Sequence, residues 1–351
     1  MNWLIVGAGA IGSLLGAKLA RAGHRVALVV RPRSASALAQ GLTLVRGPEK
    51  FTVPVNVATD VAGAFDAFAP FDVVALTMKA FGVEAAAGEL RALNVALPPV
   101  VTFQNGVGSE EIVRASLPTT PLVAASISIP AEFVAPATVR AGERGGICLA
   151  PVQGHPPLEA TSASLADAGF PVHLVADYRA MKWSKLLLNM LGNATSAILG
   201  WPPERIFRHP RLFEIEMAAW REAREVMRAY GIPLVRLPGY PVPLFDLAVR
   251  RLPLWLLRPV VARLVAGGRG GKMPSLYLDL EAGRRQLEID YLNGAVVRYG
   301  DNLGLPTPVN AVLTELVRGM AAGTVDHARY RHAPDRLVAE VQARCRAAAQ
   351  A

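Results

Sequence analysis

Short apolar runs alternate with stretches of helical spacing through the first half of the chain, and any fold must satisfy that alternation. Residues 3–6 form a β run, residues 11–22 keep small and apolar side chains at helical spacing, and Gly23-His24 is a stop signal. Further strands are predicted at 25–30, 72–77, 100–103 and 122–129, with helices at 81–93 and 109–117. Stretches 43–57 and 138–149 read as added strands and 171–175 as the last one. From Asp177 onward the spacing is helical, apart from a proline- and glycine-rich interval at 233–274. The pattern predicts an α/β class fold: a mostly parallel sheet wrapped by helices over 1–176, then a helical domain over 177–351.

One helix-length apolar run is 181–200, MKWSKLLLNMLGNATSAILG. Lys185, Asn189 and Asn193 are four apart, so on one helix they drift only ~80° and share a face. An ammonium and two amides buried there need partners. Both a polar seam between packed helices and a ligand-binding face meet that need.

Composition narrows the picture. The chain has 351 residues, enough for two domains, with 52% hydrophobic and 19% charged residues, which is globular and not disordered. Cys148 and Cys345 are far apart and in no metal-type spacing, so we expect no metal and a reducing, cytoplasmic compartment. The first residues show no signal peptide, and no apolar run reads as a membrane span. Net charge is +9, and the whole excess lies after residue 176, where 25 basic residues meet 16 acidic ones. Within that half, 233–272 holds seven basic residues against Asp246 alone. The basic cluster is too narrow for a nucleic-acid face, so no nucleic-acid partner is expected.

The sharpest motif follows the first strand: Gly7-Ala8-Gly9-Ala10-Ile11-Gly12. A GxGxxG that ends a strand and opens a helix suits a dinucleotide. The first glycine allows the turn, the second admits the pyrophosphate, and the third permits close helix packing. The second strand ends in Val30-Arg31-Pro32-Arg33 and carries no acidic residue there. Guanidinium groups suit a 2′-phosphate, so NADP is expected over NAD, with Arg31 first and Arg33 second. Two more strand ends, Thr77-Met78-Lys79 and the stretch from Phe103 through Asn105 to Gly108, fall where ligands bind in such sheets. Only six lysines accompany 31 arginines, and two of the six are Lys79 and Lys185. An ammonium can lose a proton near neutral pH and a guanidinium cannot.

Taken in order, GAGAIG at 7–12, TMKA at 77–80, QNGVG at 104–108, KLLLN at 185–189 with Asn193, and LEIDYLNG at 287–294 resemble the ketopantoate reductase (2-dehydropantoate 2-reductase) family. The resemblance covers most of the chain. It implies a Rossmann domain, an all-helical substrate and dimerisation domain, and NADPH-dependent reduction of a 2-oxo acid in pantothenate synthesis. By matching position it makes Lys185 the catalytic lysine, with Glu288 at the junction of cofactor and substrate. Asn189 and Asn193 become substrate-contacting amides, and Ser275 the serine that holds the carboxylate. Asn105 would touch the cofactor and orient the lysine, Lys79 would be a cofactor-side lysine, and Ala131 a backbone contact to the cofactor. The apolar character of the helical domain points to a homodimer as partner. Chemically, hydride delivery builds alkoxide charge that a lysine ammonium can stabilise and then protonate.

Three features depart from the family pattern. Residues 233–272 read as a basic, apolar insertion, open to three arrangements: a hairpin packed on the domain or a partner subunit, a lid hinged at the glycines of 267–271, or a surface for a membrane or an acidic partner. One extra residue precedes Glu288, which would rotate it by roughly 100° on a continuous helix. Gly200-Trp201-Pro202-Pro203-Glu204 stands where some members carry another substrate-binding asparagine. The alternatives to ketopantoate reduction are a reductase for another 2-oxo acid and a non-catalytic NADP-binding sensor.

Overall fold

The apolar runs of the first half become strands in a computed structural model that describes residues 1–269 and 272–350. In order these are β1 (Asn2–Val6), β2 (Arg25–Val29), β3 (Leu42–Arg46), β4 (Glu49–Val53), β5 (Asn56–Ala58) and β6 (Val73–Leu76). They continue with β7 (Val100–Thr102), β8 (Leu122–Ile127), β9 (Ala131–Ala135), β10 (Thr138–Ala141), β11 (Ile147–Gln153) and β12 (Val172–Leu174). The helices among them are α1 (Ala10–Arg21), α2 (Pro32–Ala39), α3 (Val61–Phe68), α4 (Val83–Ala92), α5 (Ser109–Ser116) and α6 (Leu158–Asp167).

Eight strands form one sheet in the order β12-β11-β8-β7-β6-β1-β2-β5, parallel except where β11 runs against β8. A parallel sheet must be covered on both faces, and alternate residues of β1 show it. Trp3 and Ile5 pack in the core that contains Leu14, Leu15 and Leu19 of α1, while Leu4 and Val6 pack with Val61, Val83 and Leu90. From β1 the chain goes to β2 on one side and later returns as β6 on the other. The strand order therefore reverses between β1 and β6, which is where such sheets bind ligands. A second sheet, β4-β3-β10-β9, lies apart from this order. It corrects the sequence reading: 43–57 divides among three strands, with β5 in the large sheet, and β9 was not foreseen. All five β9 residues are only partly buried or exposed, with no alternation, so hydropathy gave no signal for it.

The remaining helices are α7 (Tyr178–Met190), α8 (Asn193–Leu199), α9 (Pro203–Arg208), α10 (Pro210–Ala229), α11 (Val242–Arg251), α12 (Leu254–Arg269), α13 (Ser275–Glu281), α14 (Asn293–Asp301), α15 (Pro308–Ala322) and α16 (Pro334–Gln350). Contacts divide the chain into a first unit of Met1–Gln104, Gly108–Met181 and Leu237–Tyr240, and a second of Asn105–Val107, Lys182–Arg236 and Pro241–Ala351. The division falls after Met181, inside α7, and two short segments belong to the unit opposite their chain neighbours.

Two local expectations are corrected. The 181–200 stretch is not one helix: α7 ends at Met190, Gly192 is left-handed at φ 67°, and Asn193 opens α8. Glu288 does not continue α13 either. The helix stops at Glu281 and Glu288 begins a separate 3-10 turn, so an extra residue in the connection carries no helical rotation. The insertion forms a helical pair, α11 and α12, packed on α9 and α10. Trp220 meets Phe245 edge to face, and Asp246, buried, accepts from Trp220 Nε1 and from Arg224 Nε, each at 3.0 Å. Of the expected glycine hinge, Gly270 and Gly271 lie outside the described residues. Among the described residues no helix is long and apolar enough to cross a membrane.

A buried polar knot ties α10, α14 and α15. Glu222 accepts from the Val309 and Asn310 backbone N–H groups at 2.8 and 2.9 Å and from Asn310 Nδ2 at 2.7 Å. It thereby caps α15, whose own N-cap Thr307 makes no side-chain bond. Asn293 Nδ2 donates to Asn310 Oδ1 at 2.9 Å. Burial pushes the Glu222 carboxyl above the usual 4.5, and its hydrogen bonds only partly oppose that. A carboxyl whose pKa is higher folded than unfolded binds its proton more readily in the native state, so its contribution is greatest at low pH and is lost as pH rises through the raised value. Glu222→Gln cannot titrate and loses an acceptor. Its thermal stability deficit relative to the wild type should therefore narrow as pH rises above about 4.5, measured by melting both proteins across a pH series; a deficit constant with pH would contradict the raised pKa.

Candidate active site

In the first unit the glycine motif closes β1 and opens α1 at the β1–β6 reversal. Gly7 has φ 102°, and a Cβ there would come within 2.8 Å of the Met78 backbone nitrogen. A Cβ on Gly12 would lie 2.5 Å from Thr77 Oγ1 and collide with the Gly7 carbonyl oxygen. Around Gly9, in contrast, a Cβ would meet nothing within 4 Å. Two glycines are thus fixed by the protein's own packing, and the middle one faces open space, room that a pyrophosphate would need. Gly9 is the N-cap of α1 without a side-chain cap bond, and no acidic residue occupies the first turn. The first amides of the helix, including those of Ala10, Ile11 and Gly12, are thereby available to an anion. These observations fit a dinucleotide.

Neighbouring strand ends buttress the turn. Thr77 Oγ1 donates to the Gly7 carbonyl at 2.6 Å, and Gln104 Nε2 donates to the Leu76 and Met78 carbonyls at 2.9 and 3.1 Å. Lys79, half-buried, immediately follows and leads into a 3-10 turn. Arg31 is the N-cap of α2 and Arg33 lies in its first turn, both exposed, just beyond β2. Ala131 opens β9 and packs against the core that holds α1.

In the second unit the other candidates are joined by hydrogen bonds. Lys185 and Asn189 lie one turn apart on α7, both half-buried. Asn189 Nδ2 donates to Asn105 Oδ1 at 3.1 Å. Asn193 Nδ2 donates to the Asn189 carbonyl at 3.2 Å, while its Oδ1 accepts from Leu276 N–H at 3.3 Å. Leu276 follows Ser275, which is exposed at the start of α13. Glu288 is buried, and three residues later the Tyr291 carbonyl accepts from Val107 N–H at 3.0 Å, beside Asn105. Asn105, Asn189, Asn193 and the Ser275–Leu276 backbone therefore form one connected set. Arg284 pairs with Asp279 at 3.0 Å, not with Glu288. Where an asparagine was missing, Trp201 is buried beneath Arg205, whose guanidinium lies 3.7 Å from the ring centre, and stacks on His332. Among the described residues no cluster of three or more His, Cys, Asp or Glu could hold a metal.

A model of the family described as Ketopantoate reductase PanE/ApbA matches residues 3–154, and its C-terminal counterpart matches 177–321. The chain belongs to the ketopantoate reductase family. It is similar to the 2-dehydropantoate 2-reductase of Archaeoglobus fulgidus, 31% identical over 327 residues that cover 91% of this chain and 97% of the relative. The Mycobacterium tuberculosis 2-dehydropantoate 2-reductase is also 31% identical, over 324 residues, with the same coverage. A ketopantoate reductase family structure from Ralstonia eutropha JMP134 superposes with a TM-score of 0.78 at 31% identity, covering 92% of this chain and 99% of that one. D-mandelate dehydrogenase, solved with NADH and anilino(oxo)acetate, shares the fold with a TM-score of 0.76 at 21% identity over 93% and 100% of the two chains. Family membership makes the chain an oxidoreductase with a Rossmann-type first unit.

Sequence reasoning named Thr77 and Gln104 only as parts of strand-end stretches. Their work, holding carbonyls of the glycine turn and of β6, shows in a small polar residue placed directly after a buried parallel strand. The packing of Gly12 gives a direct test. Gly12→Ala should cost about 1–3 kcal/mol through overpacking and abolish the thermal shift expected from a nicotinamide dinucleotide; differential scanning fluorimetry of both proteins, alone and with NADH or NADPH, reads both effects.

Proposed function

We propose that this chain uses NADPH to reduce a 2-oxo acid to the corresponding 2-hydroxy acid, with 2-dehydropantoate to (R)-pantoate as the preferred reaction. The observation that carries the reading is the hydrogen-bonded set Asn105–Asn189–Asn193–Leu276 on the same helical unit as Lys185. A dinucleotide sensor without turnover needs the glycine turn alone and has no use for such a set.

When bound, the reduced nicotinamide supplies a hydride. The rest is work for the chain's own groups. The first amides of α1 receive the pyrophosphate, and Arg31, with Arg33 two residues on, receives the 2′-phosphate. Ser275 and the amides of Asn189 and Asn193 bind the polar end of the oxo acid. The Lys185 ammonium donates a hydrogen bond to the ketone oxygen, stabilises it as alkoxide charge develops, and then gives up the proton. Glu288, buried, favours the charged form of a nearby ammonium. A cytoplasmic homodimer belongs to the same reading; two of the exposed apolar side chains on α11 and α12, Leu244 and Trp255, are 56% and 73% accessible, and light scattering measures the assembly directly.

NADPH oxidation with 2-dehydropantoate, beside NADH and a panel of other 2-oxo acids, tests the proposal. Fast turnover of 2-dehydropantoate is expected, falling at least about 100-fold in Lys185→Ala, the usual scale for losing a general acid. A panel member turned over more efficiently than 2-dehydropantoate would transfer the reading to that acid, and binding of NADPH with no turnover of any would refute it. Separately, Arg31→Ala should reduce the NADPH-over-NADH ratio of kcat/KM by about tenfold or more, the loss of a charge-assisted contact to phosphate; an unchanged ratio would remove Arg31 from that role.

A further inference from the structure

A carboxylate on α10 takes no part in the proposed chemistry, yet it grips the frame that carries the asparagines. Glu216 is 4% exposed and lies on the apolar stripe of its helix, four residues after Leu212 and four before Trp220, both buried. A carboxylate in that position is costly unless donors meet it. Gly192 N–H donates to its Oε2 at 2.8 Å, and the Thr195 hydroxyl donates to its Oε1 in a short hydrogen bond. These two donors flank Asn193 at the break between α7 and α8.

Gly192 is left-handed, and no side chain caps α8. One carboxylate therefore ties the residue before Asn193 to the residue two beyond it, and the 192–195 turn becomes a rigid piece anchored to α10. Asn193 sits inside that grip, with its amide on the Asn189 carbonyl and its oxygen on Leu276 N–H. Any slip of the turn moves Asn193 against Asn189 and against the Ser275–Leu276 backbone. Lys185 lies more than a turn upstream of the break, on the body of α7, and is not displaced with it.

We propose that Glu216 is a positioning residue for oxo-acid binding, acting through Gly192 and Thr195 to fix the turn that carries Asn193. The inference rests on the reductase reading above. It separates the two reactants: the clamp governs affinity for the oxo acid and leaves the dinucleotide-binding residues of the first unit untouched.

The test compares Glu216→Leu, Glu216→Gln and Thr195→Val with the wild type. Leucine fills the space and removes both acceptors. Glutamine keeps a carbonyl for Gly192 N–H and presents an amide that donates to the Thr195 hydroxyl. In Glu216→Leu the KM for 2-dehydropantoate should rise about tenfold or more, a hydrogen-bond-sized effect, with the KM for NADPH and the active fraction unchanged. Thr195→Val should show a smaller rise, and Glu216→Gln should fall back close to the wild type. Unchanged KM for the oxo acid in both Glu216→Leu and Thr195→Val would overturn the proposal. So would a loss of active fraction without a KM split, or a Glu216→Gln variant no better than Glu216→Leu. If Glu216→Leu does not fold, Thr195→Val and Glu216→Gln carry the same comparison. Hydrogen exchange keeps the clamp distinct from the reductase reading: amides 191–195 should exchange faster in Thr195→Val and Glu216→Leu while α15 is unaffected, whether or not the wild type reduces any 2-oxo acid. Unchanged exchange there overturns the clamp itself.

Discussion

A left-handed residue at position 192 decides how the helical unit presents its polar groups. A Cβ on Gly192 would press to 3.0 Å from Phe207 and 3.2 Å from Pro203, and its φ of 67° already disfavours any side chain. Because the chain turns there, Asn189 and Asn193 do not stack along one helical line. One reaches Asn105 and the other reaches the backbone of α13. A continuous helix would give both amides similar neighbours; two short helices joined at a glycine give each its own.

In the first unit the comparable constraint is the closeness of backbone to backbone. Gly7, Gly12 and Thr77 are packed so tightly that the turn has one shape, and the space left over lies at Gly9. The protein shapes this turn mainly from main-chain atoms, with the Thr77 hydroxyl holding the Gly7 carbonyl. The fold therefore tolerates much variation elsewhere, in keeping with relatives that share about three residues in ten and match nearly the whole chain.

Much of this was legible in the sequence because its signals are local. The glycine motif names its own turn, Arg31 follows its strand directly, and Lys185 and Asn189 fall one turn apart on a helix that the apolar spacing marks plainly. What the sequence concealed depends on partners distant along the chain. Hydrophobicity around Leu191 and Gly192 reads as one helix, since nothing local shows that Glu216, 24 residues on, draws the Gly192 N–H away. The displaced register feared at Glu288 vanished because the connection before it is not helical. Glu216 itself left a trace: an acid at i+4 from Leu212 and i−4 from Trp220, on a stripe that is otherwise apolar.

The exchange of short segments between the two units has a bearing on biosynthesis. Leu237–Tyr240 belongs with the first unit, where the Pro238 carbonyl accepts from Ser128 Oγ at 3.2 Å, although the 55 residues 182–236 separate it from that unit's last other segment, which ends at Met181. On the ribosome, the sheet can close its strands early, but the first unit cannot be complete until Tyr240 has emerged. Asn105–Val107, by contrast, is made long before the helices it belongs with. The first unit waits on a late stretch of chain and Asn105–Val107 waits on late helices, so a cut between residues 182 and 236 leaves each unit without one of its segments.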